Sequence, residues 1–174
     1  MPDIPKIIKT VPKLGADVFE KALKCDKFWE ACITGLDKVS VKSTGDGKMH
    51  WELRAYFMLD PLGVTKIPVD VRQDMLYKED KNFKGEGKRY MFTVENSNAA
   101  SEGEGNLFFK ASSKTETKIM VEVTKLSLKS DFLDIAGLGK SLVVNRLTQE
   151  LQKMVTTLIE LADQGKVAAI LAKC

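Results

Sequence analysis

A chain of 174 residues with 44% hydrophobic and 29% charged side chains is long enough for one buried core, and this composition excludes wholesale disorder. The net charge of +3 comes from basic residues scattered among acidic ones, with arginine only at Arg54, Arg72, Arg89 and Arg146, so nucleic acid is not an expected partner.

The opening Met1-Pro2-Asp3-Ile4-Pro5 does not read as a signal peptide. The longest apolar run, Val167 to Ala172, falls far short of the roughly 20 residues of a membrane span. Cys25, Cys32 and Cys174 are odd in number and lack paired spacing, which argues against a disulfide framework and fits a reducing cytoplasm. Cys32 reads as a small core hydrophobe.

In chain order, Ile4 to Val11 is a β-branched run bounded by prolines, a strand signal. Val18, Phe19, Ala22 and Leu23 then share a helical face. Asp26 is expected to cap a second short helix carrying Phe28, Trp29, Cys32 and Ile33, which Gly35 ends. From Leu36 to Leu128 the period is two. It is clearest over Lys48 to Leu59, where Met49, Trp51, Leu53, Ala55 and Phe57 alternate with Lys48, His50, Glu52, Arg54 and Tyr56. Asp60-Pro61-Leu62-Gly63 makes a turn before a strand from Ile67 to Tyr77, and the polar stretch from Lys78 to Lys88 is a hairpin connection. Tyr90 to Val94, Glu102 to Phe109 and Thr117 to Val123 continue the meander, with a turn at Asn96-Ser97-Asn98. Short turns imply antiparallel neighbours, since parallel ones need crossovers of about a dozen residues.

One long amphipathic helix closes the chain from Lys140 to Gln164. Val143, Val144, Leu147, Leu151, Met154, Val155, Leu158, Leu161 and Ala162 form its stripe, from which Leu142 and Ile159 stray. So wide an apolar face must lie on the sheet. The expected class is α+β, a single domain over residues 1–174 with no linker to divide it.

That order of elements, with Val18-Phe19-Glu20-Lys21-Ala22-Leu23 leading to Phe28-Trp29-Glu30-Ala31-Cys32-Ile33-Thr34-Gly35, resembles the START/Bet v 1-like (SRPBCC) superfamily and its helix-grip fold. Within it the chain is most similar to the CoxG-like family of carbon monoxide dehydrogenase proteins, where Cys32, Ile33 and Gly35 match a Cys-Ile-Pro-Gly-like segment and Thr34 stands in place of the proline. Gly85-Glu86-Gly87, Gly103-Glu104-Gly105 and Leu138-Gly139 also look similar. The resemblance implies a curved antiparallel sheet of about seven strands gripping the last helix, two short helices after the first strand, and a hydrophobic tunnel between sheet and helix. It implies carriage of a lipid-like, polyketide-like or quinone-like molecule, docking on a redox enzyme or membrane, or a cyclase or dehydratase activity. Fold alone does not choose among these.

Strand parity names the wall of such a tunnel: Met49, Trp51, Leu53, Phe57, Ile67, Val69, Val71, Met75, Tyr90, Phe92, Leu107, Phe109, Ile119 and Val121, faced by Leu147, Leu151, Met154 and Leu158 of the helix. A plain core gives the same list. Gly103 and Gly105 share the inward parity of Leu107 and Phe109, which leaves either unfilled space or a bulge. The few inward polar groups are Gln73, Tyr77, Tyr90 and the Trp51 indole, an apolar lining with a few donors that suits a small-molecule site. Asp70, Asp74, Glu52 and Arg54 fall on the opposite parity, so no acid or base is expected inside. A cyclase or dehydratase would use Tyr77 or Tyr90 as its proton donor. His50, the single histidine, reads as a surface residue without Cys or His partners, so no metal or cofactor site is expected. The loop from Asp131 to Gly139 carries Phe132, Leu133, Ile135 and Leu138 and is expected either to gate the tunnel mouth or to plug it.

Overall fold

A computed structural model describes residues 4–33, 35–45, 47–58, 66–80, 87–137 and 139–174, without the side chains of Phe57, Met58, Asp80 and Ala136. The expectations for Thr34, the turn at Asp60, the Gly85-Glu86 segment, Leu138 and the Phe57 side chain lie outside the described residues.

Strand β1 (Ile7–Val11) is followed by helices α1 (Ala16–Leu23) and α2 (Asp26–Cys32). Six strands come next: β2 (Leu36–Gly45), β3 (Lys48–Met58), β4 (Lys66–Asp80), β5 (Gly87–Ser97), β6 (Ala100–Ser113) and β7 (Glu116–Leu128). Three helices follow, α3 (Ser130–Ala136), α4 (Lys140–Asp163) and α5 (Val167–Leu171). All strands join one antiparallel sheet in the order β1-β7-β6-β5-β4-β3-β2. Register shifts at Arg72/Gln73 and Glu104/Gly105 insert bulges that add twist and bend the sheet.

The alternation read from the sequence is real. Trp51, Met75, Tyr90, Leu107, Phe109 and Ile119 are buried, while Glu52, Asp74 and Arg72 between them are exposed. Along α4, Val143, Val144, Val155, Leu158 and Ala162 are buried. Of the two strays, Ile159 packs against the core and Leu142 is 55% exposed.

Some boundaries differ from expectation: β4 runs on through Asp80 and β5 starts at Gly87, so both ends of the expected Lys78 to Lys88 connection are paired strand. Asp26 is the first helical residue of α2 and Cys25 holds the cap position without a side-chain bond; a carboxylate in the first turn still complements the free N–H groups there. The stretch expected as a loop before the long helix contains α3, ended by Gly137 at φ 61°, a left-handed cap that glycine adopts readily. Phe132 of α3 is 4% exposed and packs with Ile67, Ala99 and Val143, so tertiary burial decides the conformation of this short segment. The tail forms α5, with Val167 buried and Ile170 and Leu171 against the core.

Cys25 and Cys174 are joined in a disulfide across 149 residues, with Cα atoms 5.8 Å apart, which corrects the expectation of unpaired cysteines. Spacing gave no sign of it because the pairing depends on α5 folding back over α1 and α2. Cys32 stays free and buried, and burial pushes its thiol up to about 12.

Candidate functional site

Among the described residues, the buried apolar side chains fall into two clusters. A large buried cluster gathers α1, α2, the neighbouring ends of the strands and the C-terminal half of α4, including Trp51, Tyr90, Leu107, Phe109, Val155 and Leu158. A small one holds Ile67, Ala99, Phe132 and Val143 at the N-terminal end of α4. Each is edged by partly buried apolar side chains: Leu53, Phe92, Val121, Leu151 and Met154 on the first, Val69, Leu128, Leu133 and Leu147 on the second. Val71, also half-buried, is in neither. Among the described residues, no side chain of α4 from Leu147 to Met154 is fully buried, and Leu147, Leu151 and Met154 are half-buried there.

Thus the expected lining residues fall into two groups. Trp51, Tyr90, Leu107, Phe109 and Leu158 are core, at 8% exposure or less. Leu53, Val69, Val71, Phe92, Val121, Leu147, Leu151 and Met154 are half-buried. Gly103 and Gly105 do not open space, because Val94 lies over the first and the Phe92 ring over the second. The Gly105 position is a bulge with an aromatic ring packed on bare backbone, which strand parity cannot distinguish from a void.

Sequence parity missed one polar element. Glu20 reaches in from α1, where its carboxylate accepts from the Tyr90 hydroxyl at 3.2 Å and from the Lys88 ammonium. Lys88 also stands 5.7 Å from the centre of the Tyr77 ring, whose own centre is 5.5 Å from that of Tyr90. Burial first, and then the Glu20 charge, hold the Tyr90 hydroxyl well above the usual tyrosine range, while the Glu20 hydrogen bond raises Lys88. Strand alternation carries no information about a carboxylate delivered by a helix. The second inward donor, Trp51 Nε1, is buried without a hydrogen-bond partner among the described residues, and its ring meets Trp29 edge-on with centroids 4.4 Å apart.

On the outer face His50 is less isolated than the sequence suggests. Its Nδ1 lies 2.8 Å from Asp74 and 3.9 Å from Glu95, and its Nε2 lies 3.6 Å from Glu52. The Asp74 hydrogen bond holds the imidazole above the ordinary histidine range. A groove of about 580 Å³ opens beside Lys38, Glu52, Arg54, Asp70 and Arg72, next to Asn98 and Lys129, and Leu53 and Val71 also border it. Arg54 and Asp70 neutralise each other there through bonds of 2.5 and 3.0 Å.

No family model matches the sequence, and no curated protein does either. Solved structures do match. A START superfamily protein of Mycobacterium smegmatis superposes with a TM-score of 0.64 at 9% identity, over 91% of this chain and 97% of its own. Human STARD10 gives 0.65 at 9% identity, over 90% of this chain and 62% of its own. The Zhui aromatase/cyclase of Streptomyces sp. R1128 gives 0.59 at 13% identity, over 92% and 94%. At such identities the likeness defines the fold: this chain has the START/Bet v 1-like helix-grip architecture.

Proposed function

We propose that the chain is a single-domain carrier or sensor of an apolar small molecule, held between the sheet and α4. The observation that carries the reading is the set of half-buried inward apolar side chains, Leu53, Val71, Leu151 and Met154, outside the two buried clusters of the described residues. An apolar surface left partly uncovered inside a fold is stabilised by an apolar guest. Such walls encode volume far better than identity, so the ligand class stays broad, lipid-like or polyketide-like. The fold's neighbours include a START superfamily protein and an aromatase/cyclase, which is consistent with this.

Mild extraction of the purified protein followed by mass spectrometry, with displacement of a fluorescent lipid probe, tests the proposal. A bound apolar species is expected, and Leu151→Trp is expected to block the probe while the protein stays folded. Failure to bind any probe, with Leu151→Trp equally inert, would remove the reading.

A cyclase reading needs Tyr77 or Tyr90 as proton donor. It has less support, because the Tyr90 hydroxyl is buried and already donates to Glu20. Docking on a redox enzyme, which the CoxG-like resemblance implies, requires a fixed partner that co-purifies from the native cell, whereas a carrier does not.

A further inference from the structure

On the outer face of the sheet His50 of β3 pairs with Asp74 of β4, and Asp74 pairs with Thr93 of β5. Beside them the register breaks. Arg72 pairs with Asn96 and Gln73 with Val94, so Glu95 is the extra residue of a bulge. A bulge re-aims the side chain it inserts, and this one sets Glu95 beside Asp74, to which it is hydrogen-bonded. The imidazole and the two carboxylates then offer ligand atoms that all lie within 4.8 Å of one another. They stand on three adjacent strands in the middle of the sheet, a more rigid support than a loop.

Nitrogen and oxygen ligands bound about 2.0 to 2.2 Å from a tetrahedral ion stand about 3.4 Å from each other. Here Nδ1 of His50 is 2.8 Å from Asp74 and 3.9 Å from Glu95, a mismatch that small rotations of exposed carboxylates remove. Charge points the same way. Among the described residues neither Asp74 nor Glu95 has a lysine or arginine in salt-bridge contact: Arg72 is turned to Glu52 at 4.0 Å, and Lys48 acts on Asp74 only through its longer-range field. Two carboxylates this close cannot both stay charged without a proton or a cation between them, and a divalent cation offsets both. The second ring nitrogen completes the arrangement. Nε2 stands 3.6 Å from Glu52, the place of the outer carboxylate that fixes the tautomer and orientation of a metal-binding imidazole. One imidazole nitrogen and two carboxylate oxygens suit a transition cation such as zinc better than calcium, which takes about six to eight oxygens. Neighbouring Cys or His residues are not needed, because the partners come from β4 and β5.

We propose that His50 Nδ1, Asp74 and Glu95 bind a divalent transition cation on the outer face of the sheet, with Glu52 holding the imidazole by its other nitrogen. Asp74 and Glu95 are exposed, so the remaining coordination positions open to water or to an external ligand. These side chains lie on the face opposite the buried Trp51 and Met75, so the ligand proposal is not involved.

Titration of the full, oxidised chain with zinc ion, read by calorimetry and by the imidazole proton resonances, tests it. His50 is the only histidine, so its ring signals report the site directly. Saturation at a single zinc per chain in the micromolar range is expected, and excess calcium should not displace the zinc. His50→Gln and Asp74→Asn should each weaken binding at least about a hundredfold, and Glu52→Gln about tenfold. Glu102→Gln, an acid elsewhere on the sheet that Lys125 engages at 2.9 Å, should bind like the wild type. Where His50→Gln fails to fold, Glu95→Gln replaces it, the position being exposed, and should lose zinc in the same way. Binding only at millimolar zinc, ring signals that do not move, or calcium competing as well as zinc overturns the proposal. So does wild-type affinity in the folded His50 or Glu95 variant, or an equal loss in Glu102→Gln.

Discussion

The Tyr90 hydroxyl donates to Glu20 Oε1 at 3.2 Å, and this bond ties the middle of the sheet to the first helix. Because burial and the Glu20 charge raise the Tyr90 pKa, the fold favours the protonated phenol. Stability from this site is therefore complete below the unfolded tyrosine pKa of about 10 and is lost as pH rises through the higher folded value. Tyr90→Phe should cost about 1 kcal/mol near neutral pH and should flatten the alkaline loss measured by urea titrations above about pH 10. An unchanged alkaline slope would show that Tyr90 is not the group responsible.

Gly105 should tolerate no side chain. A Cβ there would collide with Phe92 Cζ and with the Glu122 carbonyl oxygen, whereas at Gly103 the nearest atom is Val94 Cγ2 at 2.7 Å, the end of a side chain. Overpacking against backbone has no cheap relief, so Gly105→Ala should destabilise by about 2 to 3 kcal/mol and Gly103→Ala by less. Adding Phe92→Ala to Gly105→Ala should not restore stability, because the carbonyl remains. Full rescue in that double variant would place the whole conflict at the ring.

Truncations along α4 distinguish packed core from unfilled interior. Leu158 is 4% exposed inside the large cluster, so Leu158→Ala should cost about 2 to 5 kcal/mol. Leu151 is only partly buried at the edge of that cluster, so Leu151→Ala should cost about 1 kcal/mol or less in ligand-free protein. Comparable losses in the two variants, read from denaturation midpoints, would mean that the interior is filled as far as Leu151.

The architecture was legible because it rests on local periodicity. Alternation marked β3 to β7 and spacings of three and four marked α4, whereas α2 stops at Cys32 with an extended Ile33 as its cap, before the Gly35 expected to end it. What the sequence hid depends on contacts between distant segments. α3 needs Phe132 to meet Val143 before it is worth forming, and Glu20 becomes a partner of Tyr90 only when α1 lies on the sheet. The glycines of β6 were ambiguous for a similar reason, since whether they leave a void depends on Phe92 and Val94 of the neighbouring strand. Parity could not separate Trp51 and Phe109, which are core, from Leu53 and Val71, which are half-buried.

The Cys25–Cys174 pair gives the fourth prediction. It closes a ring across 149 residues and pins α5, whose Val167 is 4% exposed, over the first two helices. Chain entropy alone assigns a ring of this size about 5 kcal/mol, and natural disulfides commonly contribute about 2 to 5. Cys174→Ser is the cleaner variant, since Cys174 is exposed and Cys25 is buried. Its unfolding free energy should fall by about 2 to 4 kcal/mol, wild type in dithiothreitol should fall to the same value, and the variant should not respond to the reductant. Alkylation supplies a second readout. Cys32 is buried and its thiol is pushed up to about 12, so native oxidised protein should label slowly, and reduction should add a fast site at Cys174. Equal stability with and without reductant, together with fast labelling of untreated protein, would mean that the two sulfurs are not joined in solution.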